Sequence, residues 1–563
     1  MNEGRRLAIA IVLMVVAFIL PQLIWPPKKP VQPPAPAADT TAAAPSPAPR
    51  PAPAASAPRS SALQARSGPA PVAAETVWVS TPLLKLGFST AGGELVSAQL
   101  LDYRSFARGD SASRAEILGA DEPALRARLA AGKDTVDLSQ VAFAPSVREL
   151  KVGSDSATLS FGGKVGGGFV TLSYTFYQDS YRFSVRGQAT GLGSEGAVLL
   201  LGLGEGLRSV EADSVDDFRH AGVVTRATKS QILALQSVDS NAVKILDGPF
   251  EWAGVKSKYF FLAALAIEDS EPPFAGAIVE GRPRTVTTHS LFGTSHVASR
   301  AGVTLTLPVP AVGAFRYQVY AGPLDSRRLS RIGHDLDDAN PYGGLVRFIV
   351  KPVSQWVVAI LLWMHGRLSL AYGWVLVIFG VLVRVLLWPL SQKAMESSVR
   401  MQALQPLLED LKARHKNDPE RMQKETLRLY KEHKVNPLGG CLPMLLPWPV
   451  LIALFFVFSN TIEFRGVSFL WLPDLSRADP YFIIPIVMGL SMFALSKVGQ
   501  MGVPPNPQTK TMLYVMPAMM TFLFMRFSSG VNLYYAVSNI CSIPQQFLIA
   551  RRRLQQQGAR KTP

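Results

Sequence analysis

Arg384 is the residue most able to do chemistry and the hardest to place, because it lies inside the apolar run from Tyr372 to Pro389. A charge near the middle of a membrane-spanning helix costs roughly 2.5–3.5 kcal/mol on insertion scales, so such a residue is kept for a wet cavity, a partner or a pathway. The bland alternative is a side chain that snorkels to the nearer membrane face. A second polar pattern lies near the C-terminus. Asn532, Tyr535, Asn539, Ser542 and Gln546 recur at i, i+3, i+7, i+10 and i+14, a stripe along one face of a helix. Polar residues of this kind either glue packed helices together or, with Arg384 beside them, line a hydrated groove. Val537 falls off the stripe and reads as outward-facing. Other constellations are weaker. Ser491 with Lys497, or Ser528, could be cast as nucleophiles, but no base has plausible spacing. Asp213, Asp216 and Asp217 lack the spacing of a calcium loop and read as solvated turn residues. The seven histidines are scattered, and the two cysteines, Cys441 and Cys541, fall in apolar helices as small core residues, so neither a metal nor a cofactor is expected.

The elements that must position these residues divide the 563-residue chain into unlike parts. Arg5-Arg6 precedes an apolar run, Leu7–Leu20, with no small-residue cleavage site close behind it, so residues 1–25 read as an uncleaved transmembrane anchor. Residues 26–75 form a Pro/Ala-rich tether that cannot bury a core; 14 prolines lie between Pro26 and Pro71. From 76 to 335 the period is two, most clearly in Val170, Leu172, Tyr174 and Phe176, which share one face of a strand. Further strands fit Val77–Phe88, Ala157–Phe161, Thr285–His289, Val303–Pro308 and Phe315–Tyr320, with Gly/Asp/Ser turns, and together they predict an all-β antiparallel sandwich.

The stretch 342–367 carries Arg347, Lys351, Ser354 and Gln355 on one helical stripe and reads as interfacial. Beyond it, Tyr372–Leu390, Leu442–Phe458, Tyr481–Leu495, Met512–Phe527 and Val531–Ala550 are candidate spans, making residues 368–563 an all-α membrane region. The segment 391–435 reads as a helical hairpin, with one helix from Gln392 to Lys416 and a second from Glu420 to His433 after Asn417-Asp418-Pro419. It holds ten basic residues, whereas the loop Glu463–Pro480 has only Arg465 and Arg477. That asymmetry places the hairpin and both termini in the cytoplasm and the sandwich outside, with six crossings. The net charge of +16 follows this distribution and has no compact basic motif that would read a nucleic-acid sequence.

Four segments in order resemble one family. Val383-Arg-Val-Leu-Leu-Trp-Pro-Leu, Lys434-Val-Asn-Pro-Leu-Gly-Gly-Cys-Leu-Pro, Pro480-Tyr-Phe-Ile-Ile-Pro-Ile-Val-Met-Gly and Phe527-Ser-Ser-Gly-Val-Asn-Leu-Tyr-Tyr-Ala-Val-Ser-Asn are similar to the YidC membrane-protein insertases of Gram-negative bacteria. Trp252-Ala-Gly-Val-Lys-Ser-Lys-Tyr-Phe is a weaker local match. The resemblance implies a five-helix insertase core with a hydrophilic groove, an N-terminal anchor helix and a periplasmic super-sandwich in the cell inner membrane. It also implies nascent membrane proteins, the Sec translocon, the ribosome and the lipid bilayer as partners, and no enzymatic activity. By the same resemblance Arg384 and Tyr535 match groove residues, and Trp448, Pro449, Leu451, Leu523 and Phe527 match apolar positions that contact substrate. Two positions depart from the family pattern: Gly380 stands where a groove threonine is expected, and Pro447 where a glutamine is common. The competing reading is a polytopic secondary transporter, against which the spans show no internal repeat.

Overall fold

The computed structural model describes residues 74–559 apart from 108, 111–112, 133, 154, 192–195, 267, 269–270, 290–294, 341–346, 416–417, 434–447 and 503–506. The expected anchor, nearly all of the tether, Cys441 and Pro447 lie outside the described residues. Among those described, twenty strands between Thr76 and Pro323 form three sheets of five, nine and six strands. Pairing is antiparallel throughout except where Trp78–Ser80 runs parallel to Glu149–Lys151. The strand Gly168–Tyr177 shows how period two builds the core. Val170, Leu172, Tyr174 and Phe176 are all buried, while the alternating threonines and serines are half-exposed. Its partner strands place Phe161 opposite Leu172 and Phe183 opposite Phe176. From the five-stranded sheet Phe88 reaches across to Tyr174, with ring centroids 4.8 Å apart, and the Tyr174 hydroxyl donates to the Gly93 carbonyl at 2.9 Å. Such ring contacts add roughly 0.5–1.5 kcal/mol each beyond area burial.

The expected strand Val77–Phe88 is two strands, Thr76–Ser80 and Leu84–Ser89. Thr81-Pro82 breaks it. Proline has no N–H for the ladder, and the Thr81 hydroxyl accepts from the Leu83 and Leu84 amides to hold the turn. Conversely, Thr285–His289 and Val303–Pro308 are pieces of one long hairpin, Phe274–His289 with Ser295–Val309.

The aspartate trio is part of the structure and not solvated turn surface. Asp213 caps a short helix, α1 (Ser214–His220), by accepting from the Asp216 amide at 3.0 Å. Asp216 pairs with Lys258 Nζ at 2.7 Å, and the buried Asp217 accepts from the Lys258 amide at 2.9 Å. After the last strand, α2 (Ser326–Ile332) and a 3-10 turn at Leu336–Ala339 close the β region.

Among the described residues eight further helices follow: α3 (Arg347–Leu368), α4 (Tyr372–Ala403), α5 (Gln405–Arg414), α6 (Pro419–Glu432), α7 (Trp448–Asn460), α8 (Ile483–Gly499), α9 (Pro507–Phe524) and α10 (Ser529–Ala559). The stretch Tyr372–Lys393 of α4 is long and apolar enough to cross a bilayer; Pro449–Asn460, Ile483–Gly499 and Leu513–Phe524 are shorter apolar helices. Two expectations change here. The first arm of the hairpin is not a separate helix, because α4 runs unbroken from the apolar stretch to Ala403. The chain then breaks at Leu404, where Pro406 in the next turn cannot continue the same ladder. Within the polar stripe of α3, Lys351 and Ser354 also turn toward protein, while Gln355 is exposed. Lys351 pairs with Asp337 at 2.8 Å and Asp338 at 2.7 Å, and the Ser354 hydroxyl donates to the Ala453 carbonyl. Phe348, Trp356, Trp363 and Leu368 are large exposed hydrophobic residues of that helix.

The β region and the helices are joined by one side chain above all. Arg465, in the segment between α7 and α8, donates from Nε to Glu211 at 2.6 Å and from Nη1 to the Arg104 carbonyl at 2.9 Å. Its guanidinium lies 4.5 Å from the Phe106 ring centre and 5.2 Å from that of Phe260.

The Asp216–Lys258 pair sets a pH dependence. Burial raises the Asp216 carboxyl, but Lys258, His220 and the hydrogen bond from Lys258 outweigh it and hold it below its ordinary value. A carboxyl depressed on folding contributes stability that is present above its unfolded value and lost as pH falls through it. Acid unfolding of the β region should therefore steepen below about pH 4, and Asp216→Asn should flatten that limb. An acid limb identical in Asp216→Asn and the parent chain, followed by tryptophan fluorescence, would remove this pair as its cause.

Candidate functional site

The helical region is organised by the seam between α4 and α10. An α-helix presents i, i+4, i+7 and i+11 on one face. Tyr534, Ser538, Cys541 and Gln545 have that spacing on α10, and this face meets α4: Phe379 packs on Tyr534 with ring centroids 6.0 Å apart. The approach is close at Gly380, where an added Cβ would come within 3.1 Å of Val537 Cγ1 and 3.5 Å of Tyr534. A threonine there would press on α10, which gives the glycine a packing reason. Val537 is accordingly part of the seam and not outward-facing; Ile540, 51% exposed, is the residue of α10 that faces away.

Arg384 is 6% exposed on the inner face of α4. Its Nη2 donates to Gln545 Oε1 at 3.1 Å, its Nε has no hydrogen-bond partner, and it forms no salt bridge with a described residue. Gln545 is fully buried and works as a four-way connector. Its Oε1 also accepts from the Ser391 hydroxyl at 3.0 Å, while its Nε2 donates to the Trp388 carbonyl at 3.2 Å and to Gln392 Oε1 at 3.3 Å. A full positive charge is thus held by one neutral acceptor. Snorkelling does not describe it, because the guanidinium points into the bundle.

The expected stripe lies on a different face of α10, roughly 100° around the helix. Asn532 is fully buried and donates to the Phe524 carbonyl at 2.9 Å. Asn539 donates to the Ser491 hydroxyl of α8 at 3.2 Å. Ser542 bonds back to the Ser538 carbonyl of its own helix. The Gln546 amide lies against Gly499, where α8 ends. Tyr535 stacks on Phe524 with centroids 5.8 Å apart and an interplanar angle of 17°. Asn532, Tyr535, Asn539 and Gln546 meet α8 and α9 or the turn after α9, and Arg384 is not among these partners. Ser491 already donates to the Met488 carbonyl at 2.6 Å, and Lys497 lies across the helix from it, so the two do not form a nucleophile–base pair.

Of the expected apolar contact positions, Phe527 sits in an aromatic cluster with Phe455 at 5.2 Å and Phe524 at 4.7 Å, which joins α7, α9 and, through Tyr535, α10. Leu451 and Leu523 are half-buried beside it, and Pro449 is exposed near the start of α7. The Trp448 side chain lies outside the described residues. Phe455 and Phe524 carried no polar signal and were not singled out from sequence. Gln545 was missed because the stripe's spacing selects its neighbour Gln546.

The end of the bundle nearest the β region is capped. Asp479 accepts from the Ile484 amide at 2.8 Å at the start of α8, and the Ser529 amide donates to the Arg477 carbonyl at 2.7 Å at the start of α10. At the other end Arg553 donates to the Gly499 and Met501 carbonyls, closing the C-terminus of α8.

Comparison with known proteins agrees with this architecture. Residues 363–557 match the family described as 60Kd inner membrane protein, and residues 76–356 match that of the YidC periplasmic domain. A protein named Membrane protein insertase YidC from Dechloromonas aromatica (strain RCB) is 31% identical, the match covering 98% of this chain and 97% of that one. Its namesake from Anaeromyxobacter dehalogenans (strain 2CP-C) is 32% identical over 98% of each. Among solved structures, an active YidC insertase with its first transmembrane domain resolved is 17% identical, with a TM-score of 0.33, covering 85% of this chain and 94% of that one.

The Arg384–Gln545 bond joins a charged donor to a neutral acceptor in a buried seam, an interaction of ~1.5–3 kcal/mol. In SDS-titrated unfolding of the full chain in mixed micelles, Arg384→Ala and Gln545→Leu should each destabilise and should couple by about that amount. Strictly additive effects would mean that the bond does not organise the seam.

Proposed function

The chain belongs to the YidC family of membrane protein insertases and is a membrane protein insertase, and we propose that the buried guanidinium of Arg384 is the polar centre that receives its substrates. The observation that carries this reading is a cation 6% exposed, held among the described residues by the neutral Gln545, with its Nε unpartnered. Such a group gains when an acidic or polar segment of a nascent chain replaces missing partners. The seam between α4 and α10 is the route by which that segment reaches Arg384, entering from the cytoplasmic ends of the two helices. The polar segment then crosses less hydrocarbon, while its apolar neighbour partitions into lipid along Leu451, Leu523 and Phe527. No nucleotide motif is needed. Burial of apolar surface supplies the driving force, with the membrane potential acting on translocated charge.

The reading includes an N-terminal anchor followed by a five-helix membrane core of α4, α7, α8, α9 and α10, and a β domain in the periplasm of a bacterial inner membrane. The hairpin α5–α6 and both termini are cytoplasmic, and nascent chains arrive from the ribosome, alone or with the Sec translocon. The apolar length of Tyr372–Lys393 and the ten basic residues between 391 and 435 support this orientation. The capped end of the bundle supports closure toward the β domain. A transporter reading gains nothing from the relatives in Dechloromonas aromatica and Anaeromyxobacter dehalogenans, both named insertases.

Arg384→Ala should lower insertion of substrates with acidic translocated tails by roughly tenfold, about 1.4 kcal/mol. Arg384→Lys should recover most of it if the charge itself matters, and Ile540→Ala should have no effect. Protease protection of pulse-labelled substrates reads this directly. Full activity of Arg384→Ala on every acidic-tailed substrate would eliminate the receiving role.

Topology is read separately. Single cysteines labelled from the periplasm should react at exposed positions of the β domain and in 465–478, and stay protected between 405 and 432. Labelling of the α5–α6 hairpin from outside would invert the orientation.

A further inference from the structure

A cavity of about 380 Å³ lies where α2, α3 and the segment after α7 meet. Its walls differ in chemistry. Arg327 and Arg331 of α2 stand exposed at the rim, and neither forms a salt bridge with a described residue. Deeper in, Asn340 is 4% exposed. Its Nδ2 donates to the Leu324 carbonyl at 3.2 Å, but its Oδ1 has no hydrogen-bond partner. Glu463 also lines the cavity, with Oε2 buried and unpartnered. The rest of the lining joins Val358 and Ala359 of α3 to the polar side chains of Gln355, Ser326, Ser330 and Thr461. Trp356 and Trp363 of the same helix are exposed, 74% and 65%, as aromatic residues at a headgroup boundary are.

Two cationic donors outside and two vacant acceptors inside describe a zwitterion. We propose that this cavity binds the phosphoethanolamine headgroup of an outer-leaflet phospholipid, with the phosphate on Arg327 and Arg331 and the ammonium on Glu463 and Asn340 Oδ1. The acyl chains leave along Val358 and Ala359 toward the tryptophans. Guanidinium–phosphate and ammonium–carboxylate contacts are the strong class of hydrogen bond. Burial, with Asp325 adding to it, pushes the Glu463 carboxyl up to about 7, and Arg327 and Arg328 offset this only in part. A bound cation would relieve that cost. A buried amide oxygen without a partner likewise loses roughly 1–3 kcal/mol that a donor restores. Alternatives of similar shape fit less well. Phosphatidylglycerol brings no cation to Glu463, and the quaternary ammonium of phosphatidylcholine has no N–H to donate. The inference rests on the proposed topology at one point only, that this face lies at the outer leaflet.

The test uses the full chain in detergent with equimolar phosphatidylethanolamine, phosphatidylglycerol and phosphatidylcholine of identical acyl chains, read by native mass spectrometry. The readout depends on neither insertion activity nor orientation, so it stands or falls apart from the proposed function. Phosphatidylethanolamine should be retained roughly tenfold over both competitors, the scale of one charge-assisted contact. The preference should fall below about twofold in Arg327→Gln/Arg331→Gln and in Glu463→Gln, which change exposed or isosteric groups. Equal retention of the three lipids, preference for phosphatidylglycerol, or an unchanged preference in the variants would overturn the site. So would competition by free O-phosphoethanolamine at the same concentration as a short-chain phosphatidylethanolamine, since the occupant would then be a soluble ion and not a lipid.

Discussion

A guanidinium among apolar helices must find its acceptors inside the protein, and the helical region is arranged around that requirement. Arg384 is buried in the α4–α10 seam, so a side chain that reaches it from the facing helix is needed to hold it. Gln545 does so, and its amide is in turn fixed by Ser391, Gln392 and the Trp388 carbonyl. The glycine at 380 belongs to the same arrangement, because a larger residue there would press on Val537 and push α4 and α10 apart. Among the described residues a single neutral acceptor holds a full charge, which leaves Arg384 short of partners.

The polar stripe of α10 does a different job from the arginine. Asn532 and Asn539 tie the helix to α9 and α8 by side-chain hydrogen bonds, and Tyr535 is stacked among phenylalanines. Bonds of this kind between spanning helices are worth about 0.6–2 kcal/mol, enough to set helix rotation without locking the bundle. The rotation matters, since it turns the Tyr534–Gln545 face toward Arg384. The stripe thus positions the site from behind.

Arg465 plays the equivalent part between the two halves of the molecule. It is the only basic residue besides Arg477 in the segment 463–480, and from sequence it marked no more than a sparsely charged outer loop. In the fold its side chain is 3% exposed, bonded to Glu211 and to two backbone carbonyls of the β region and flanked by aromatic rings. A buried ion pair with its remaining donors satisfied fixes geometry more than it adds stability. Here it fixes the β region against the capped end of the bundle, and the cavity beneath α2 exists because that placement is fixed.

By itself the sequence determined the division into a Pro/Ala-rich stretch, a β-rich middle and an apolar helical region, since composition and the periods 2 and 3.6 are local properties that survive without a fold. It also determined that Arg384 would be the exceptional residue, because a charge in an apolar run is costly wherever the helix packs. What it left open was every partner. The pairing of Asp216 and the burial of Asp217 against Lys258 depended on contacts across the chain. Gln545 was indistinguishable from Gln546 until α10 had a rotation, and a one-residue shift turns a side chain about 100° around a helix. Tertiary packing alone decided that rotation, because helix–helix approach is set by side chains far apart in sequence, such as Gly380 with Val537 and Gly499 with Gln546.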